Sequence, residues 1–354
     1  MSKRIYFLDV LRVVACFMVI IVHSTEFFYL GDAGPSIASD SDALAISVIN
    51  SPCRVAVPLF VLISAYLLVP LTTSTRVFFR KRLTRVVIPF IIWSILYATL
   101  PYLWGAMNAI DVKDSLLRLI YNFNDASGHL WFIYMLIGLY LFMPVISPWL
   151  DKASAKAELC FLAIWLFTTF FHYFRYRAGD IWGECVWNEF GTFWYFSGYI
   201  GYIVLAHFIR RHLNWNRSRM LSVGTLCFLI GYAITAAVFY YQSKQPGIDY
   251  TGLELGWSFC TFNLVIMSFG VFIIFKAIFD KPRDKEPRIV LDISRLSYGM
   301  YLMHIFVLGA MYSLFKGTMP TIGVIACTAI TTFPLCYIIT RLLAFIPGSK
   351  WIVG

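Results

Sequence analysis

Residues 5–30 read IYFLDVLRVVACFMVIIVHSTEFFYL. The run is apolar except for Asp9, Arg12 and the His23-Ser-Thr-Glu26 group. A helix needs about 20 such residues to cross the hydrocarbon core of a bilayer, so this is a membrane span rather than a core helix. An arginine at bilayer depth costs about 3 kcal/mol by insertion scales. It is retained where it pairs, faces a cavity or takes part in chemistry. The eleven residues from Arg12 to His23 advance about 1100°, three turns plus about 20°, and rise about 16 Å. Arg12 and His23 therefore share nearly one helix face on opposite sides of the midplane, which suggests a path across the membrane.

The rest of the chain has the same character. Of its 354 residues 60% are hydrophobic and 14% charged, and the mean hydropathy is +0.73. A soluble domain carries nearer a quarter charged. Apolar runs predict about ten spans, at 5–30, 54–70, 86–107, 129–149, 158–174, 190–209, 220–241, 257–279, 297–315 and 321–345. The expected fold is an all-α polytopic bundle, one domain over 1–354 with no fused soluble part. The first run is too long for a signal peptide and contains Asp9 and Arg12, so it is expected to stay as the first span. No internal repeat is evident.

The net charge of +10 does not point to nucleic acid. With the N-terminus inside, 21 of the 29 Lys and Arg residues fall in cytoplasmic segments, including Lys3, Arg80, Lys81, Arg82, Arg85, Arg283 and Lys285. The positive-inside rule then puts both chain ends in the cytoplasm. The longest outer loops are predicted at 31–53, 108–128, 175–189 and 242–256, with 112–121 patterned as an interfacial helix. The eight cysteines are dispersed and contain no Cys-x-x-Cys. Most are expected to act as small hydrophobes.

Several groupings carry chemistry. Asp9 and Arg12, three apart on a helix, can pair; the plainer reading is a snorkelling arginine with its counterion. His23 and Glu26 have the same spacing. A carboxylate beside an imidazole fixes its tautomer and suits it to general-base work, although a core histidine bonded to a neighbouring helix is the ordinary alternative. Arg80, Arg82 and Arg85 follow the second span; beyond topology, such forks bind phosphate oxygens. Ser64 and Tyr66 place hydroxyls in the inner half of the second span, where interhelical hydrogen bonding is their common role. Arg54 lies at the outer end of that span, level with His23 and Glu26. Trp131, Glu184, Trp187 and Glu189 lie on the outer side and can contact a sugar, though Trp there is ordinarily an interfacial anchor. No Walker loop, Gly-x-Ser-x-Gly or His-Glu-x-x-His occurs, and no metal is expected.

Together these pieces resemble the acyltransferase-3 family of integral-membrane acyltransferases. The likeness rests on Arg12-x10-His23, Pro58-Leu-Phe-x3-Ser64-x-Tyr66, Arg80-Lys-Arg82, His129-Leu-Trp131-Phe and Ser297-Tyr-Gly-x-Tyr301-x2-His304. It covers essentially the whole chain. Ala65 departs from the glycine usual after the serine and adds a methyl group. The resemblance implies acyl transfer from cytoplasmic acyl-CoA, most simply acetyl-CoA, to a hydroxyl of a cell-surface glycan or its lipid-linked precursor. It implies a bacterial cytoplasmic membrane protein with a donor substrate and no resident cofactor. His23 with Glu26 would be catalytic, as base or as transient acyl carrier. Arg12, Ser64, Tyr66, Arg80, Arg82 and Arg85 would hold acyl-CoA. Arg54, Trp131, Glu184 and Trp187 would face the acceptor, and Asp9 would pair Arg12. If Arg54 faced the acyl end, succinyl would replace acetyl. His304 is expected to be structural or cavity-lining. The sequence sets no oligomeric state.

Two other classes fit the composition. A proton-coupled transporter for a sugar, glycan or organic anion would use the same intramembrane charges and would move its substrate unchanged. A membrane scaffold would tolerate replacement of His23 and the arginines.

Overall fold

The computed structural model describes residues 4–188, 190–191, 193–281 and 286–354. Lys3, Glu189, Arg283 and Lys285 lie outside the described residues. The chain is a helical bundle whose only strands among the described residues are the two-residue pair Leu30–Gly31 and Gly34–Pro35. The helices are α1 (Tyr6–Glu26), α2 (Asp40–Asn50), α3 (Ala56–Leu68), α4 (Thr75–Thr99), α5 (Ala109–Arg118), α6 (Trp131–Lys152), α7 (Ala155–Thr168), α8 (Phe171–Ala178), α9 (Ile200–Arg211), α10 (Arg217–Gln242), α11 (Tyr250–Leu253), α12 (Phe262–Phe279), α13 (Arg288–Phe315), α14 (Thr321–Leu343) and α15 (Lys350–Val353). Among the described residues nine helical stretches are long and apolar enough to cross a membrane.

The expected sixth span, 190–209, takes a different form. Its regular part is α9, 12 residues, about 18 Å of helix against a hydrocarbon core of about 30 Å. Both its ends are tied to neighbouring helices. At its start Tyr202 donates to the Phe259 carbonyl ahead of α12, and at its end Arg210 donates to the Tyr66 carbonyl of α3. Gly201 through Ala206 are all buried. A short helix with an irregular lead-in is tolerated at membrane depth when protein surrounds it.

The second span also differs. Its helix begins at Asp40, inside the expected loop 31–53, because Ser39 caps it by accepting from the Asp42 amide at 3.1 Å. Asp40 and Asp42 are first-turn acids that favour a helix N-terminus. A 3-10 turn at Ser51–Val55 carries this helix into α3. The third span likewise starts early, at Thr75, so the arginine cluster is helical rather than looped. The segment expected along the interface is α5, closed by a capping box between Asn108 and Asp111 and burying no residue.

Lipid tails offer helices no hydrophobic reason to associate, so close packing has to supply it. α10 and α12 meet backbone to backbone at Gly224 and Gly270, where a Cβ on Gly270 would stand 2.5 Å from the Gly224 carbonyl oxygen. α1 is central, touching α3, α12, α13 and α14. Arg4 and Gly354 come together at one end of the bundle, where they line a single cavity with Arg82, Arg85 and Arg295.

Candidate functional site

α1 presents Asp9, Arg12 and His23 along the inside of the bundle. Near its start Asp9 is buried and gathers three partners. It accepts from Arg4 Nε at 2.7 Å and from Ser294 Oγ at 2.6 Å, with Arg12 at 3.7 Å. Arg12 donates to Ser294 Oγ at 3.1 Å. The expected Asp9–Arg12 pair is thus part of a larger group that joins α1 to α13. Beside it opens a cavity of about 570 Å³ lined by Arg12, Ser64, Arg82, Arg85, Arg295 and Tyr301, among others. That volume falls in the ordinary range for ligand sites. Arg82 Nε is buried there without a protein partner, a donor free for an anion.

Of the residues expected to hold acyl-CoA, the cavity collects Arg12, Ser64, Arg82 and Arg85. It does not collect Arg80 or Tyr66. Arg80 is two residues from Arg82, about 200° around α4, whereas Arg85 is only about 60° from Arg82. Tyr66 turns the other way, edge-on to Phe7 at 5.5 Å, with Lys276 Nζ 3.3 Å from its hydroxyl.

Near the other end of α1, His23 Nδ1 lies 2.7 Å from Glu26 Oε2. A carboxylate only accepts, so Nδ1 carries a proton, and in the neutral imidazole Nε2 keeps the lone pair. Two further imidazoles close on this dyad. His304, on α13, has its ring centre 5.1 Å from that of His23. His129, in the 3-10 turn Asp125–Leu130 before α6, stands 6.3 Å from His23 and 5.1 Å from His304. Nδ1 of His304 meets the Tyr301 carbonyl, so that nitrogen is also the N–H. The Nε2 atoms of His129 and His304 are buried without partners. The side chain of His23 is 17% exposed, while His304 is 1% exposed; His23 forms the open side of the group. Tyr301 also donates its hydroxyl to the His129 carbonyl.

The arginine cavity ends at Phe60 and Tyr301. Both residues also line a narrow void with Cys16, Val19 and His304 that has no room for a water molecule. The imidazoles therefore lie one layer of side chains beyond the cavity.

The residues expected to face an acceptor are spread out. Arg54 is buried and held from three sides. It donates to Asn50 Oδ1 at 2.7 Å, the Tyr29 hydroxyl at 3.0 Å and Glu254 Oε1 at 3.2 Å, and lies 4.2 Å over the Trp257 ring. Tyr29 in turn donates its hydroxyl to Glu254 Oε1 at 2.6 Å. Trp131 stacks on Phe259 with centres 5.4 Å apart. Glu184 pairs with Arg175, whose Nε donates to it at 2.8 Å. Trp187 is 95% exposed. A second buried carboxylate, Glu158, meets His207 Nδ1 at 2.9 Å and His212 Nε2 at 3.1 Å and ties α7 to α9.

Sequence reasoning gave His304 a structural or lining role and did not place His129 beside His23. Both stand in motifs of the sequence, His129-Leu-Trp and Tyr301-x2-His304. What was missing was a contact between residues 175 positions apart in the chain. Ser294 and Tyr140, which lines the cavity between Ser64 and Arg82, gave no comparable signal.

A family model described as an acyltransferase domain matches residues 5–341. No curated protein and no solved structure matches the chain.

Proposed function

Because the chain belongs to the acyltransferase-3 family and is an integral membrane protein, we propose that it moves an acetyl group from acetyl-CoA to a hydroxyl of a cell-surface glycan or lipid-linked glycan precursor. The observation that carries this reading is the His23–Glu26 dyad at the far end of the helix whose Arg12 lines the arginine cavity. The cavity suits the nucleotide phosphates, which arginine forks bind through paired N–H donors. By the distribution of basic residues it opens to the cytoplasm, where acyl-CoA is found. The pantetheine arm would run along α1 past Phe60 and Tyr301, which have to part. It would cover the rise of about 16 Å between Arg12 and His23.

At the dyad, His23 Nε2 takes the acceptor hydroxyl proton, the oxygen attacks the thioester carbonyl, and the carbon–sulfur bond breaks. Glu26 holds the tautomer and balances the imidazolium that forms. The acceptor would approach from the side on which His23 is exposed; Trp131, Glu184 and Trp187 are proposed as further contacts along its path. We propose the bacterial O-acetyltransferase of enterobacterial common antigen as a counterpart in activity, and the cytoplasmic membrane as the location.

The test is purified protein in sided vesicles with labelled acetyl-CoA and glycan fractions. Acceptor-dependent CoA release with label in the glycan is expected. Accumulation of intact sugar without label would identify a transporter instead.

A further inference from the structure

We propose that His304 is a second catalytic residue, the acid that protonates the departing CoA sulfur, fed by His23. The inference rests on the reading of His23 as the base. It starts from the placement of His304. Its Nδ1–H is committed to the Tyr301 carbonyl, its Nε2 has no protein partner, and the residue is 1% exposed. A buried nitrogen without a partner costs stability. Such an atom calls for an explanation in what it does.

Two contacts supply one. On one side the His304 ring centre is 5.1 Å from that of His23. No hydrogen bond joins the two rings as they stand, so the proton crosses on a small turn of the His23 imidazole. On the other side His304 lines the void that shares Phe60 and Tyr301 with the arginine cavity. His23 lines neither space; its own exposure lies elsewhere. The two histidines therefore face different reactants, His23 the acceptor and His304 the donor.

The step balances without another reactant. The acceptor O–H proton passes to His23 Nε2 as the oxygen bonds to the thioester carbon. His23 passes a proton to His304 Nε2. The carbon–sulfur bond breaks, its electron pair goes to sulfur, and sulfur takes the proton from His304. An ester and free CoA leave, and both imidazoles return neutral.

The test replaces His304 by Asn, whose amide N–H can keep the bond to the Tyr301 carbonyl while Nε2 is lost, and separately by Gln. Turnover by H304N is expected to fall about 10²–10⁴-fold, with acetyl-CoA Kd and KM within threefold of the parent. Turnover within threefold of the parent, or a raised donor KM at unchanged kcat, overturns the relay. The unaltered protein gives a second reading in mixtures of light and heavy water. A bowed dependence of kcat on deuterium fraction, from two protons in motion, is expected; a straight line overturns the relay even if both variants misfold. Loss of transfer in His23→Asn together with full transfer in H304N would remove the relay and leave His23 as base. Full transfer in His23→Asn would remove the base itself.

Discussion

Glu26→Gln is a sharp test of the dyad because it keeps the size of the side chain and removes its charge. The Nδ1–Oε2 distance of 2.7 Å is that of a charge-assisted hydrogen bond. Such bonds contribute about 1.5–3 kcal/mol, against about 0.5–1.5 for neutral ones. Losing the difference of about 1–1.5 kcal/mol from the imidazolium formed during reaction slows turnover about 5–12-fold. A second effect adds to it. The Gln amide can turn its NH2 toward Nδ1, which selects the tautomer with the proton on Nε2 and leaves no lone pair to act as base. Glu26→Ala, with no partner at all, should approach the loss of a positioned base, about 10²–10⁴-fold. Glu26 is not part of the arginine cavity, so donor KM should stay within twofold in both variants. The assay is steady-state CoA release with saturating acceptor. If E26Q turns over within twofold of the parent while His23→Asn is inactive, the carboxylate does not assist His23 and the dyad is only a helix-end contact.

Arg82→Gln and Arg85→Gln should each raise the donor KM about tenfold or more, the worth of a charge-assisted bond, whereas Arg80→Gln should leave it within about twofold because the helical turn carries Arg80 off the cavity face; equal effects from all three would reduce the cluster to topology. Gly201→Ala should lower the Tm by several degrees, since its Cβ would run into the fully buried Trp165 ring and overpacking costs about 1–3 kcal/mol even where neighbours can yield; thermal unfolding of the purified variant reads this, and an unchanged Tm would refute the packing. The hydrogen bonds from Arg175 hold the Glu184 carboxyl below its ordinary range. A depressed pKa stabilises fully above the unfolded value of about 4.3 and is lost as pH falls through the folded one. Amide exchange over 175–188 should therefore accelerate below about pH 4, by less than about 1 kcal/mol for so exposed a pair, and Arg175→Gln should show that fast exchange at neutral pH.

Much of the architecture was legible because membrane spans are long and apolar, and what the sequence misplaced has local causes. Ser39, Asp40 and Asp42 look like loop polarity and are instead a cap and a first turn. Segment 190–209 is apolar enough for a span, yet its regular helix α9 starts only at Ile200, and only the surrounding helices show why so short a helix is tolerated. The site divides in the same way. Pairs along one helix, Asp9 with Arg12 and His23 with Glu26, follow from a three-residue spacing and are found. Groupings between helices do not follow from spacing. Arg12 and Arg54 show the difference, since each is an arginine among apolar residues and a guanidinium has five N–H donors. Arg54 commits hydrogen bonds to Asn50, Tyr29 and Glu254 and covers its face with Trp257, so its side chain is only 7% exposed. Arg12 donates one hydrogen bond, to Ser294, and keeps 27% of its side chain open to the cavity. Glu254 and Trp257 come from 200 residues further along the chain, where nothing in the second span could announce them. Arg12, with more donors uncommitted, is the one that lines the cavity, whereas Arg54 commits its donors to tying α2 and the turn before α12 together.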